Sequence, residues 1–219
     1  MNKGLFEYRK SLKDWHYDPM IKSNDYEYAG RFEGIEKYIN LIPWPEMTSG
    51  VSFPVNDKYN DPNSLPELQK RDNKKWGYTP EATRKYHLYD NIPNEFNNIA
   101  KLTGLKDFTV ALLKQPAGAT NPWHYDSHFA LGQKHGLSED ELISSTRRYL
   151  IMLEDWNWGH FIQIGNNVIS QWSAGDIFTW PFGMWHTSAN AGIAPKLTMQ
   201  VTGIVTENSL HKTSKFKIK

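Results

Sequence analysis

The chain of 219 residues carries a formal net charge of +1, with 39% apolar and 22% charged side chains and no cysteine. That length can bury a sizeable core, and the composition is that of a folded chain rather than a disordered one. Near-neutral charge gives no footing for nucleic acid or an anionic membrane. The missing cysteines exclude disulfides, thiolate metal sites and cysteine nucleophiles, so a metal would have to be held by His, Asp or Glu. Residues 1–9 lack the apolar stretch of a signal peptide, and no apolar run approaches the ~20 residues that span a bilayer. A cytoplasmic protein without membrane or nucleic-acid partners is the expectation.

Residues 1–106 read as an irregular elaboration with scattered helices. Phe32, Ile35, Tyr38, Ile39 and Ile42 follow helical spacing, and Pro43 closes that segment. Residues 54–75 are rich in Asn, Asp, Lys and Pro, a long surface excursion that reads either as a lid or as a plain loop. Thr79-Pro80 predicts a helix start, with Thr as N-cap and Pro in the first turn. Phe96, Ile99, Ala100 and Thr103 predict a further helix that Gly104 ends.

The pattern changes at Asp107. Segments 108–113, 122–128, 147–154, 160–164, 167–172, 176–181, 185–189 and 196–206 are short strand candidates parted by Gly, Asn and Pro. One helix interrupts them, starting at Ser138 with Glu141 completing a capping box. Residues 164–168, with Gly165-Asn166, form a hairpin turn. Eight short strands in about a hundred residues predict a mainly β chain with peripheral helices, a double-stranded β-helix or jelly roll of the kind cupins share. The expected organisation is one domain over 1–219: the elaboration 1–106, a jelly-roll core 107–206, and a basic tail 207–219 that is solvated.

Chemistry concentrates in the second half, where six of nine Trp lie between 123 and 185 and five of eight His between 124 and 186. In a strand over 122–128, His124 and Asp126 share a face. An imidazole and a carboxylate side by side are two thirds of a 2-His-1-carboxylate triad, which holds Fe(II) and leaves coordination positions open. His186, sixty positions after Asp126 at the start of a strand, is the natural third ligand. Alternation in 196–202 puts Lys196, Thr198, Gln200 and Thr202 on one face and Leu197, Met199 and Val201 on the other. A cation with a hydroxyl two residues on is a clamp for a ligand carboxylate. His128 competes with the ligands because it shares their face, and a supporting or substrate-facing role is expected of it. His160 and most of the tryptophans read as structural, and Trp123, Tyr125 and Trp185 alternate away from the ligands and pack behind them.

These residues resemble the Fe(II)- and 2-oxoglutarate-dependent oxygenases, whose pattern is H-x-D, a distal His and then Arg or Lys. The resemblance runs from about Phe108 to Gly203. Gln115-Pro116-Ala117-Gly118 is similar to the turn before the triad, residues 148–161 to the central strand and its glycine turn, and Ala174-Gly175-Asp176 to the turn before the distal His. A Lys ten residues beyond that His resembles the prolyl 4-hydroxylase branch. Arg147-Arg148 and the aromatic flanks resemble aspartyl/asparaginyl hydroxylases, which lack the carboxylate of Asp126. The resemblance implies that His124, Asp126 and His186 hold Fe(II), that 2-oxoglutarate chelates the metal, and that O2 is consumed with release of succinate and CO2. It implies hydroxylation of a C–H bond in an amino-acid, peptide or other small-molecule substrate.

Lys196, with Thr198, is favoured over Arg148 as the anchor of the far carboxylate, because position and alternation both place it near the metal. Arg148 would then take the substrate's carboxylate or pair with an acid such as Asp155. Two rivals stay open: a cupin-type metalloenzyme that does not use 2-oxoglutarate, and a jelly-roll binding protein with no catalytic role. A zinc hydrolase is weaker, because no general base stands out.

Overall fold

A computed structural model gives the fold and describes residues 26–49, 79, 81–126 and 128–213. The 54–75 excursion, Pro80 and the basic residues Lys215, Lys217 and Lys219 lie outside the described residues. Strands β4 (Lys106–Gln115), β5 (Thr120–His124), β6 (Thr146–Met152), β7 (His160–Ile164), β8 (Asn167–Ile169), β9 (Asp176–Trp180), β10 (His186–Asn190) and β11 (Lys196–Ile204) divide between two antiparallel sheets. One sheet runs β9-β6-β11-β4 and the other β5-β10-β7-β8. The chain crosses from sheet to sheet as it advances, which is the winding of a double-stranded β-helix. The fold class is therefore as expected, and β7 occupies the predicted residues. A two-residue loop, Gly165-Asn166, joins β7 to β8, with Ile164 opposite Asn167.

Three further strands widen the first sheet where the sequence pattern predicts irregular or helical structure. β1 (Glu27–Arg31) pairs with β9 at one edge; β3 (Arg84–Leu88) pairs with β4 at the other, followed by β2 (Thr48–Ser49). Thr79 caps a single turn, its Oγ1 accepting from Ala82 N at 3.2 Å, and no helix follows. The open edge of β4 supplies a partner that overrides the local helix signal, as strand formation depends on context more than on propensity.

The helices are few. A 3-10 helix covers Ile35–Leu41, and α1 (Asn94–Lys101) buries Phe96, Ile99 and Ala100 as expected. Between β5 and β6 there are two helices, α2 (Phe129–His135) and α3 (Glu139–Ser145), where one was expected. The capping box holds: Ser138 N donates to Glu141 Oε2 at 2.8 Å and Glu141 N to Ser138 Oγ at 3.3 Å. Instead of leaving as a solvated tail, the chain after β11 turns back through α4 (Leu210–Thr213). Leu210 is buried there, and Tyr149 Oη takes a hydrogen bond from His211 N at 3.0 Å. The apolar surface of Leu210 outweighs the polar character that makes the segment read as a tail.

Two cores follow from strand alternation. One lies on the outer face of the larger sheet, where Leu197, Met199 and Val201 of β11 meet Ile35, Phe96, Ile99 and Leu112. The other fills part of the space between the sheets with Leu150, Met152, Ile162, Ile164, Phe178 and Trp180. Each such side chain contributes about 1.5–3 kcal/mol relative to exposure. The opposite face of β11 is polar and points into the space between the sheets, and that polarity creates room for a site.

Candidate metal centre

His124 closes β5 and His186 opens β10, and the two are direct cross-strand partners. Their rings come within 4.2 Å, centroid to centroid. Asp126 lies beyond the end of β5, in irregular backbone, so strand alternation is not what brings it beside His124. It reaches the same point from the turn into α2: His124 Nε2 is 3.9 Å from Asp126 Oδ1 and His186 Nε2 is 3.5 Å from Oδ2. One ligand atom of each residue lies within 4.8 Å of the others, a cluster with the donor set of a 2-His-1-carboxylate site.

Backbone carbonyls fix the imidazoles. His124 Nδ1 donates to Pro122 O at 2.6 Å and His186 Nδ1 to Met184 O at 2.9 Å, which makes each Nε2 the ring's acceptor; that of His124 accepts from Asn121 Nδ2 at 3.3 Å. Burial holds both rings neutral, pushing His124 down to about 3 with the neighbouring His186 adding to the effect. Burial works against the charge on Asp126, but the Arg148 guanidinium and the two imidazoles outweigh it and keep the carboxyl well below its usual range. Arg148 Nη1 sits on Asp126 Oδ1, while Oδ2 is buried with no hydrogen-bond partner. A buried, unpartnered carboxylate oxygen facing the Nε2 of His186, with the Nε2 of His124 beside the same carboxylate, fits a divalent cation, and the all-N/O donor set suits Fe(II).

A cavity between the sheets opens beside His186 and Trp180 and runs to Lys196, with Gln115, Ser188 and Thr198 in its wall. Lys196 is 3% exposed; its Nζ donates to Phe161 O and Ala189 O, each at 3.1 Å. Two of three ammonium donors are thereby used. Burial pushes the amine down to about 7, and no carboxylate lines the cavity among the described residues. The arrangement suits an anion lodged between His186 and Lys196.

Arg148 stands elsewhere. Besides Asp126 it reaches Thr202, its Nε donating to Oγ1 at 2.8 Å. Asp155, the acid offered as one alternative partner for it, instead accepts from Ala174 N at 2.9 Å. His128 falls outside the triad, because β5 has ended and its φ is 45°. Its Nδ1 donates to Thr146 Oγ1 at 2.8 Å, since that hydroxyl spends its own hydrogen on Leu142 O. His160 is structural as expected, bonded to Ala194 O and stacked on Trp172. Trp123 stacks on Trp185, and Tyr125 meets Trp185 edge-on, as a cluster flanking the ligands.

Lys85 on β3 has no place in the sequence reading, yet it lines the cavity with Lys196 and donates to Asn121 Oδ1 at 3.3 Å. Burial pushes it down to about 8, partly offset by Asp126. Alternation of Lys85 and His87 with Tyr86 and Leu88 is the signal that marks the strand.

No protein-family model matches the chain, and no curated protein matches it. Solved structures show distant likenesses. A predicted oxalate decarboxylase from Thermotoga maritima is 12% identical, over 56% of this chain and 82% of that one, with a TM-score of 0.35. A sugar phosphate isomerase of the cupin superfamily from Silicibacter pomeroyi is 16% identical, over 54% and 59%, with a TM-score of 0.34. A cupin domain from Bordetella pertussis is 16% identical, over 45% and 82%, with a TM-score of 0.31. The fold assignment rests on the strand order of the two sheets. Among the described residues, no helix is long and apolar enough to cross a membrane.

Proposed function

We propose that the chain is an Fe(II)- and 2-oxoglutarate-dependent dioxygenase that hydroxylates a C–H bond of an amino-acid or peptide substrate. His124, Asp126 and His186 hold the metal, Asp126 through Oδ2, with Arg148 keeping Oδ1 and so the carboxylate's orientation. Lys196 takes the far carboxylate of the cosubstrate, with Thr198 beside it in the cavity wall. When bound, Fe(II) with 2-oxoglutarate and O2 supplies the oxidising chemistry, in which one oxygen atom goes to the substrate and the other to succinate, with loss of CO2. The chain's own share is ligation, orientation and a walled space. Backbone carbonyls fix both imidazole tautomers, and Trp180 packs on His186 at 4.8 Å between ring centroids.

The observation that carries this reading is Lys196: a buried amine in a cavity that His186 of the triad also lines and that has no acid in its wall among the described residues. The test is succinate formation from 2-oxoglutarate on addition of Fe(II), repeated with His124→Ala and Lys196→Ala. Fe(II)-dependent succinate that both substitutions abolish supports the proposal. Metal binding without succinate points to a metalloenzyme that does not use 2-oxoglutarate. Metal binding that is absent, and unchanged by His124→Ala, leaves a binding protein.

A further inference from the structure

Arg148 uses only part of its guanidinium. Nε is on Thr202 and Nη1 on Asp126, while Nη2 has no acceptor among the described residues, in a side chain 19% exposed. Its two N–H groups diverge, so Nη2 offers an oxyanion one charge-assisted hydrogen bond beside the metal ligands. The neighbouring wall adds to it. β3 is paired to β4 so that His87 and Thr198 both stand opposite Leu113. Lys85 and His87 therefore share the inward face of the larger sheet with the polar stripe of β11.

Lys85 places a second positive charge in that wall, bridging β3 to β5 through Asn121. His87 Nε2 is buried without a hydrogen-bond partner, and the ring lies 3.6 Å from that of Tyr89 at the exposed rim. Burial, with the charges of Lys85 and Arg148, holds His87 neutral, down to about 2, so Nε2 can serve a ligand as a hydrogen-bonding group. None of these three groups is a ligand of the metal cluster, although Arg148 braces Asp126 and Lys85 braces Asn121 beside His124.

We infer that the reacting substrate carries a free carboxylate, held by Nη2 of Arg148 together with Lys85 and His87 on the inward face of β3. The inference rests on the dioxygenase reading and names its substrate class: a free or C-terminal amino acid, or another small carboxylic acid, rather than an internal peptide segment. The positive charges of Arg148 and Lys85 select the acid over its neutral amide, which has the same shape.

The experiment is a calorimetric titration of the full chain, loaded with Mn(II) and saturating 2-oxoglutarate, with N-acetylated amino acids and with their carboxamides. Each acid that binds is expected to bind at least tenfold tighter than its amide. Lys85→Met and Arg148→Gln should shrink that ratio, while Lys85→Arg preserves most of it. Equal binding of acids and amides overturns the inference, as does a ratio untouched by both substitutions or no binding of any acid at millimolar concentration. If 2-oxoglutarate itself fails to bind the Mn(II)-loaded chain, the dioxygenase reading falls separately. The acid-to-amide ratio is then measured on Lys196→Met without 2-oxoglutarate, where Lys196 can no longer hold the acid, and the same outcomes decide.

Discussion

Replacing Lys196 by Met separates a ligand-binding cation from a structural one. Burial lowers the amine from an ordinary 10.5 to about 7. At about 1.36 kcal/mol for each pH unit, the folded chain bears a penalty on the order of 5 kcal/mol for carrying this ammonium. That penalty is full below pH 7, where the amine is charged in both states, and fades as pH rises from 7 towards 10.5. Met is of similar length and removes it. Against this, Phe161 O and Ala189 O lose a donor, at a cost of about 1–3 kcal/mol each. The two effects nearly cancel, so Lys196→Met should stay within about 2 kcal/mol of the parent at pH 7. It should also lose the rise in stability between pH 7 and 10.5.

Cosubstrate binding has no such compensation. A charge-assisted hydrogen bond is worth about 1.5–3 kcal/mol, so the KM for 2-oxoglutarate should rise about 10- to 150-fold. The decisive comparison is 2-oxobutanoate, which has no distal carboxylate. The parent chain should discriminate strongly against it and the Met variant hardly at all, read as kcat/KM from CO2 release. Unchanged discrimination, or an equal loss of activity with both oxo acids, refutes the assignment of Lys196 as anchor.

His124→Ala or His186→Ala should weaken Mn(II) or Fe(II) binding by more than about 100-fold in equilibrium dialysis, since each removes one of the three clustered ligand atoms. Gly175→Ala should destabilise the chain by about 3 kcal/mol, a Tm drop of about 6–12 °C. Its φ is +83° and an added Cβ would stand 1.8 Å from Phe32 O, in a turn locked by Gly175 N to Met152 O. Tyr149→Phe should cost about 1–2 kcal/mol in urea unfolding, since its hydroxyl meets both the backbone N and the ring Nδ1 of His211.

How much of this was legible in the sequence depends on how local each cause is. β11 was legible because alternation writes both its faces into nine consecutive residues: Leu197, Met199 and Val201 enter one core, and Lys196, Thr198 and Gln200 face the cavity. The triad was legible as a set, though only half for the reason the spacing offers. His124 and His186 meet through strand pairing, whereas Asp126 arrives from the turn into α2, and its position depends on where β5 stops. The alternation of 122–128 hides that stop, because Trp123, Tyr125 and His128 suit a strand and a turn equally well. β1, β3 and the return of the chain through α4 depend on partners about 30 to 150 positions away in sequence, which no local period records.

That division explains why Lys85 escaped notice while Lys196 did not. Lys196 lies on a strand whose polar face is anomalous by itself, so the residues alone mark an interior polar surface there. Lys85 lies in a stretch that becomes a strand only because β4 has an open edge, and its inward direction is set by register with Leu112–Lys114. The two histidines of the candidate metal cluster are thus readable from the jelly roll's own strands. Lys85 and His87 come from a strand added at the edge of the fold, and there only the assembled sheet says which side chains face inward.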